Sequence, residues 1–368
     1  MGHVIDGHAG VRRGDLAVFA TKTEDGQAFD MWQTPGFKPG RGCLPARRAN
    51  ATRNSSAHSV VLGFVHLDSP AFGSTPEDPF CFHNAAARAF RSNLVDYSSE
   101  IFLRQQRNYN IMFYIFRTTA RFLRFDQTGA IVSKPIDLET DSEVFYKFFW
   151  SMTNAEDRAL GYDPTAKLIL DPPVGRHPDL VRLDEALARL PRSRTAPYIL
   201  KAFLDDSLNL PIYKLQVPDL KSRRVSHHFL VRNPSSQEMG ANATRGYIGF
   251  NVETQRFCFL KDIWRFDWPE RLIEKVAYEE LEPHSIRGIP TIHSGGDVLR
   301  HSPAEGRIFH QTTQTQKHPH AICFPRRVHA RLVMNEIGIP IKDCNSSHEM
   351  FSAFCHAFRG TSVLTFRY

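Results

Sequence analysis

The sequence has no long apolar run and few cysteines for its length. No stretch approaches the roughly 18 consecutive apolar residues of a membrane-spanning helix, and residues 1–6 lack the apolar core of a secretory signal peptide. In a chain without an export signal, scattered cysteines are expected to be free thiols. We therefore expect an intracellular protein, cytoplasmic or nuclear, that does not associate with a membrane. The cysteines are Cys43, Cys81, Cys258, Cys323, Cys344 and Cys355.

The sequence also lacks the residue patterns of metal and nucleic-acid sites. Its net charge is +7, but neither zinc-ligand spacing nor an aromatic ribonucleoprotein motif accompanies its basic clusters. These clusters lie at residues 41–53, 104–124 and 221–224. A group of histidines has no cysteine or carboxylate at ligand spacing, so we predict a long polar connection there and no metal site. The group comprises His310, His318, His320 and His329. Nucleic acid is not an expected partner.

The composition is sufficient for two folded domains. The 368 residues are 42% hydrophobic and include 28 Phe, which provides enough apolar surface for two cores. Residues 1–58 are rich in Gly, Arg, Pro, Ser and Asn, and we expect them to be disordered. Residues 59–218 form the first predicted domain, of α+β type. A polar and basic linker containing Pro218 then leads into the second domain, residues 219–368.

The first domain is predicted from the periodicity of its apolar residues. The pattern favours helices over residues 85–104, 143–152 and 180–190, and a hairpin over residues 111–136. We expect the hairpin to turn at residues 126–129, where Gly129 can supply a positive φ angle. No chemistry is evident in this domain, so we expect a binding or regulatory role.

The second domain begins with three predicted antiparallel strands, at residues 228–232, 244–252 and 256–261. The loop between the first two contains Gly240, whose backbone can approach a phosphate closely. Lys261 ends the third strand, where its ammonium can reach phosphates lying under that loop. Taken singly, these features are equally typical of a hairpin turn and a solvated edge lysine. Their order is typical of the ATP phosphate clamp of a protein kinase.

A helix is predicted after Lys261. Residues 269–281 have apolar positions near helical spacing, and Pro269 suits a first helical turn. This helix would present Glu274 as an ion-pair partner for Lys261. The alternative is a solvated acidic face, because Glu270, Glu279 and Glu280 are also available.

Two further elements follow. Residues 331–341 form an apolar strand that runs into Gly338 and a proline. In a kinase such a segment becomes the hinge whose backbone groups bind adenine. Ser346 and Glu349 form a capping box that opens a helix through Phe358.

These segments resemble the fungal-type protein kinase family. The resemblance rests on Gly-Ala-Asn-Ala-Thr-Arg-Gly-Tyr at 240–247, Phe-Leu-Lys-Asp-Ile-Trp-Arg at 259–265 and Arg-Leu-Val-Met-Asn-Glu-Ile-Gly at 331–338. Three upstream motifs support it, at residues 120–132, 148–150 and 161–165. The likeness covers about residues 62–358. It implies an α+β fold, with a protein-kinase-like small lobe (an antiparallel sheet plus one helix) preceded by a family-specific α+β leader domain.

The resemblance also implies a transferase that uses ATP and magnesium to phosphorylate Ser or Thr of a protein substrate. Lys261 and Glu274 would then be the catalytic pair, and no metal ligand is assigned. The nucleotide would contact Gly240, Thr244, Gly246, Lys261, Glu336 and Gly338.

The sequence departs from the family pattern in two ways. Ala243 stands where family members tend to have a second glycine in the phosphate loop. After Phe358 there is no His-Arg-Asp, no magnesium-binding Asn and no Asp-Gly motif. We therefore expect a kinase small lobe with a hinge and one following helix, truncated before the catalytic loop and inactive. The alternatives are a pseudokinase-like module that binds a nucleotide or a regulatory partner, and an α+β interaction protein.

Overall fold

The computed structural model describes residues 15–21, 59–65, 72, 84–205, 210–220, 226–232, 244–268, 274–281, 283, 288–302, 307–317 and 325–365. The elements of the first half are β1 (Asp15–Thr21), β2 (Ser59–Val65), α1 (Ala85–Arg104), β3 (Tyr109–Phe116), β4 (Thr119–Asp126), β5 (Ala130–Val132), β6 (Ile136–Asp137), α2 (Ser142–Thr153), β7 (Ala166–Ile169), α3 (Pro178–Ala188) and α4 (Ala196–Leu204). Those of the second half are β8 (Ile212–Pro218), β9 (Ser226–Arg232), β10 (Thr244–Asn251), β11 (Phe257–Phe266), α5 (Glu274–Leu281), β12 (Ile292–Asp297), β13 (Leu299–Ser302), β14 (Arg307–His310), β15 (Arg327–Met334) and α6 (Ser347–Thr365).

The N-terminal segment contains one strand. β1 pairs antiparallel with β2, although residues 1–58 were expected to be disordered. The apolar run Leu-Ala-Val-Phe-Ala within β1 is short, and the polar residues around it dominate the composition on which the prediction was based. The other residues of this segment lie outside the described part of the chain.

The three helices predicted for the leader are present. α1 has the predicted bounds, and the Asn84 side chain caps it by accepting a hydrogen bond from the Ala87 amide (2.7 Å). α2 and α3 begin and end within two residues of the prediction. α3 starts slightly earlier because His177 caps it and Pro178 occupies its first turn.

The predicted hairpin over residues 111–136 contains two turns. β3 and β4 pair from Tyr109↔Asp126 to Phe116↔Thr119, so the first turn, which was not predicted, lies at Arg117 and Thr118, where Arg117 has φ +54°. Residues 126–129 form the second turn, as predicted, between the antiparallel strands β4 and β5, but Gly129 does not have a positive φ. The Asp126 carboxylate makes this second turn by accepting a hydrogen bond from the Thr128 amide (2.9 Å).

Seven strands form one antiparallel sheet in the order β12-β15-β11-β10-β9-β8-β7. The three strands predicted around Lys261 are its members β9, β10 and β11. The prediction that Lys261 ends the third strand was wrong, because β11 continues to Phe266 and pairs with β15 over this length. β7 and β8 come from the predicted leader domain, so the boundary predicted between residues 218 and 219 falls between two neighbouring strands of one sheet. The sheet curls until β8 contacts β12 and β15, which are not its neighbours in the strand order.

Two apolar layers stabilise this sheet. On its inner face, which the curled sheet encloses, several side chains are completely buried, including Leu215, Phe229 and Val333. On its outer face, α3 and α4 bury Leu183 and Phe203 against β9 and β10. Burial of each such side chain stabilises the fold by about 1.5–3 kcal/mol. Helices of the predicted leader therefore cover strands of the predicted small lobe.

A buried ion pair joins the leader to the centre of the sheet. Arg331 of β15 is completely buried and forms an ion pair with Asp163, which precedes β7. Its Nη1 atom also donates hydrogen bonds to Thr165 Oγ1 (2.8 Å) and to the Gln216 carbonyl (2.9 Å). Burial raises the pKa of Asp163, but nearby Arg331 and His329 outweigh it, so this pKa lies below its ordinary value. The carboxylate therefore remains ionised beside the arginine.

The ion pair belongs to a larger buried network. Asp262 of β11 accepts hydrogen bonds from Arg245 (3.1 Å) and His329. Gln311 connects His329 to Asp163, with distances of 2.8 Å on each side. Burial opposes the charge on Asp262, but His329, Arg331 and Arg245 lower its pKa well below the ordinary range. His329 is thus a buried strand residue, contrary to its predicted place in a polar loop.

Two more contacts hold the leader against the sheet. Arg245 donates a hydrogen bond to the Phe102 carbonyl in the last turn of α1 (2.9 Å). Asp126, at the end of β4, accepts hydrogen bonds from the amides of Gln314 (2.8 Å) and Thr315 (2.9 Å), which lie between β14 and β15. Each contact satisfies backbone groups that helix and turn ends leave unpaired.

The basic cluster at residues 104–124 does not form an exposed basic face. Arg107 and Arg121 are buried. Arg107 stacks over the Tyr162 ring at 3.7 Å, and Arg121 donates a hydrogen bond to the Ser133 carbonyl (2.6 Å). These arginines stabilise the leader instead of presenting charge to solvent.

The capped helix at the end of the described chain is longer than predicted. Ser346 Oγ accepts a hydrogen bond from the Glu349 amide (3.2 Å), as a capping box requires. The Glu349 carboxylate accepts from the Asn345 amide, one residue earlier than the motif predicts. α6 then continues to Thr365 and exposes several apolar side chains, namely Met350, Phe351, Phe354 and Phe358. None of the helices in the described ranges is both long and apolar enough to cross a membrane.

We predict that Arg331→Met lowers the free energy of unfolding by about 3–5 kcal/mol, because it leaves Asp163 and Asp262 buried with less compensating charge. Urea denaturation measures this difference. Arg189→Met is the matched control, since Arg189 pairs with Glu185 on the exposed surface of α3 and its loss should cost less than about 1 kcal/mol. Equal effects of the two substitutions would contradict the prediction.

Candidate functional site

The site is built around Lys261, on the outer face of the sheet. Lys261 lies opposite Gly246 of β10 and Leu332 of β15. Side chains alternate between the two faces of a strand. Asp262, the next residue, therefore points into the buried network while Lys261 points outward.

Lys261 forms an ion pair with Glu274, the first residue of α5. The Lys261 Nζ atom lies 2.9 Å from Glu274 Oε1 and 2.8 Å from Oε2. Glu279 contacts Lys275 instead (3.4 Å), and Glu270 lies outside the described residues. The predicted alternative of a wholly solvated acidic face therefore does not apply to Glu274.

The helix that carries Glu274 is itself anchored. Lys275 Nζ donates a hydrogen bond to the Leu220 carbonyl, just after β8 (2.7 Å). The anchor holds the start of α5 beside the sheet. Residues 269–273, the first part of the predicted helix, lie outside the described residues.

The ion pair remains accessible to a ligand. The side chains of Lys261 and Glu274 are 30% and 38% exposed. An ammonium group has three N–H donors, and the two carboxylate oxygens account for two of them. Among the described residues only Glu274 contacts this ammonium, which leaves one donor for an anionic oxygen from a ligand.

Gly246 has a packing function at this site. A Cβ atom on Gly246 would lie only 2.7 Å from Cζ of Phe259. A side chain at this position would clash with the Phe259 ring, so a residue without one is required. Thr244, two residues earlier, is partly buried at the start of β10. Gly240 and Ala243 of the predicted phosphate loop lie outside the described residues.

The first part of the predicted hinge segment, residues 331–334, lies within β15. The strand stops at Met334, earlier than the predicted residue 341, and the Asn335 amide donates one further hydrogen bond to the Thr291 carbonyl (2.9 Å). Glu336 is held by Thr291, whose amide and hydroxyl donate to its carboxylate at 2.8 Å and 2.7 Å. No atom lies within 4 Å of the position of a Cβ on Gly338. The backbone after Glu336 is therefore open to a ligand.

A cavity of about 470 Å³ lies beside this hinge segment. It is lined by residues of α3, α4 and the β10–β11 turn, together with Asn335 and Ile337. Neither Lys261 nor Glu274 lines it. Within the described part of the chain, no cluster of His, Cys, Asp and Glu has the arrangement of a metal site.

The structure thus brings Lys261, Glu274 and Gly246 together, and places Glu336 and Gly338 beyond the end of the neighbouring strand. The sequence analysis missed Phe259, which lies beside Lys261, and Asp262, which lies beneath it. Asp262 could have been found from its position, because a carboxylate that faces inward in an alternating strand must be paired. Its partners lie too far away in the sequence to be inferred.

We predict that Lys261→Met changes the free energy of unfolding by less than about 1 kcal/mol, because partly exposed ion pairs contribute little to stability. Urea denaturation of this variant and of Glu274→Gln tests the expectation. A loss comparable to that of Arg331→Met would mean that the pair is needed for folding and not held for a ligand.

The comparison with known protein families gave a match within the predicted leader domain. A family model described as fungal protein kinase matches residues 82–186, which include the three upstream motifs at 120–132, 148–150 and 161–165. The searches of curated proteins and of solved structures found no match. The matched residues end before Lys261, so the match does not extend to the candidate site. The site is supported by its geometry alone. The match shows that residues 82–186, less than half of the chain, are similar to a fungal protein kinase.

Proposed function

We propose that this chain binds the phosphates of ATP at Lys261, as a protein-kinase-like small lobe that does not itself transfer phosphate. The observation that carries the proposal is the ion pair between Lys261 on β11 and Glu274 on the helix that follows. In protein kinases, a lysine on the third strand pairs with a glutamate of the next helix and contacts the ATP phosphates.

The order of the elements supports this interpretation. β9, β10 and β11 are consecutive antiparallel neighbours, α5 follows them, and β12 and β15 complete the sheet on the side of β11. This order supports the proposal, although the sheet has seven strands and α3 and α4 also pack against it. The leader precedes it and contributes β7 and β8.

The residues at the site suit a polyphosphate. Lys261 provides a positive charge, and Glu274 holds its ammonium in one place. Magnesium would supply charge neutralisation between the phosphates when it is bound with ATP. No described cluster provides its ligands, so we assign no residue to the metal.

The proposal is limited to binding because the residues of the transfer step are missing. Phosphoryl transfer needs an Asp to orient the attacking hydroxyl, and an Asp and an Asn to hold magnesium. These 368 residues contain no His-Arg-Asp triplet. A general base alone contributes about 10²–10⁴ in rate. We therefore expect no turnover from this chain by itself, and no protein substrate is assigned.

Calorimetric titration of the purified chain with ATP, with and without magnesium, tests the proposal. We predict binding by the wild-type chain and a loss of at least tenfold in affinity for Lys261→Met, equivalent to about 1.4 kcal/mol. Lys167→Met is the matched control, because Lys167 is an exposed strand lysine at the opposite edge of the sheet. Equal affinity of the wild type and Lys261→Met would overturn the assignment of the site.

A phosphotransfer assay with radiolabelled ATP tests the second half of the proposal. We expect no incorporation into the chain or into a general protein substrate. Turnover that Lys261→Ala abolishes would show that the chain is an active kinase.

A further inference from the structure

His293 lies at an irregular position on β12, the edge strand of the large sheet. The pairing of β12 with β15 runs from Ile292↔Met334 to Ser294↔Val333, so two steps on β12 match one step on β15. His293 is the extra residue, which makes this irregularity a β-bulge. Bulges redirect a side chain away from the ordinary alternation of a strand.

The redirected His293 ring contacts β9 and β10, which are not neighbours of β12 in the strand order. The ring meets the rings of Phe229 and His227 edge-on, with centroids 5.7 Å and 5.0 Å away. Its Nε2 atom lies 3.3 Å from the Nδ2 atom of Asn251. Its Nδ1 atom lies 3.1 Å from Ser294 Oγ. The curl of the sheet thus brings the bulge of β12 to the end of β10.

Asn251 is held in one orientation by the turn between β10 and β11. Its side-chain oxygen accepts hydrogen bonds from the backbone amides of Glu253 (2.9 Å) and Thr254 (2.8 Å), an arrangement that Asn favours in turns. Asn251 is buried, so a rotated side chain would leave both amides without this acceptor. The side-chain nitrogen of Asn251 must therefore face His293.

This orientation determines the protonation state of His293. The side-chain nitrogen of an Asn only donates hydrogen bonds, and a neutral imidazole has one donor and one acceptor nitrogen. The Nε2 atom of His293 must therefore accept from Asn251, and the ring proton lies on Nδ1, which donates to the Ser294 hydroxyl. An imidazolium carries a proton on both nitrogens. Its Nε2 proton would oppose the protons of the Asn251 amide, and this hydrogen bond would be lost.

The charged groups around the ring act in both directions. Burial and the nearby His227 lower the pKa of His293 below its ordinary value, while Glu253 and Asp219 oppose this change. The two neighbouring histidines differ from His293 because each has a carboxylate partner. His227 lies 3.0 Å from Asp219, and His228 pairs with Glu253. Protonation of either neighbour creates an ion pair, whereas protonation of His293 removes a hydrogen bond.

We propose that His293 is an acid-sensitive switch for the β10–β11 turn. The neutral ring holds Asn251 in the orientation that binds the amides of the turn. The protonated ring loses this hydrogen bond, and the turn opens. Gln255 and Arg256 of the turn line the cavity beside the hinge segment, so opening of the turn changes that cavity. The switch requires no bound nucleotide and is independent of the proposed function.

Amide exchange of the full chain, measured by NMR at two pH values, tests the switch. Because folding lowers the pKa of His293, the turn is held above the ordinary histidine pKa of about 6.5 and is released as the pH falls below it. We predict that protection of the Glu253 and Thr254 amides, corrected for the intrinsic pH dependence of exchange, falls about tenfold between about pH 7.5 and about pH 5, as expected for one lost hydrogen bond. Ring nitrogen shifts at the higher pH should show the His293 proton on Nδ1.

Two substitutions change the response in different ways. His293→Gln keeps an acceptor that does not titrate, so the turn should stay protected at both pH values. Asn251→Asp can accept hydrogen bonds from the turn amides and from an imidazolium, so the response should be reversed, with greater protection at the lower pH. His348→Gln is the matched control, because it makes the same change at an exposed histidine of α6, and it should respond as the wild type does.

Three results would overturn the proposal. The first is an equal loss of protection in the wild type and in His293→Gln, because another group would then cause the opening. The second is a loss of protection at the lower pH in Asn251→Asp, which remains informative if His293→Gln fails to fold. The third is a ring proton on Nε2 of His293 at the higher pH.

Discussion

The buried contact between Arg331 and Asp163 is the interaction on which the rest of the molecule depends. Arg331 lies in the centre of the sheet with no exposed surface, and an uncompensated charge there would cost several kcal/mol. Its partner comes from the leader. The segment before β7 therefore supplies a buried counter-charge to β15, in addition to Asp262 of β11. β11 also carries Lys261, so the buried network lies directly beneath the candidate site.

The stretch that matches the family model contains no candidate ligand-binding residue, but it does contain residues that contact the sheet. The matched residues include Asp126, which caps the connection before β15, and Asp163, which pairs with Arg331. Gly161 has φ +90°, and a Cβ atom there would lie 2.0 Å from the Tyr109 carbonyl oxygen. The upstream motifs are thus the residues that fold the leader and attach it to the sheet.

Local sequence patterns predicted the helices and strands well, but they did not predict which of them contact one another. The bounds of α1, and the presence of the three strands around Lys261 and of the helix carrying Glu274, follow from apolar spacing and capping residues, which act over a few positions. The Lys261–Glu274 contact spans only 13 residues and could be anticipated from the helix position. Arg331 and Asp163 are 168 residues apart, and no local rule connects them. The domain boundary near residue 218 was drawn from composition, but the strands on its two sides are neighbours in one sheet. Phe259 was overlooked because an aromatic residue in a strand is ordinarily core.

The central claim is that the leader and the sheet around Lys261 form one cooperative unit. Hydrogen–deuterium exchange in the wild type and in Asp163→Asn tests it most directly, because backbone amides report local opening at each strand. The account predicts that the amides of β3 and β4 in the leader and those of β11 and β15 in the sheet lose protection together in the variant. Loss of protection in the leader alone, with β11 still protected, would contradict it.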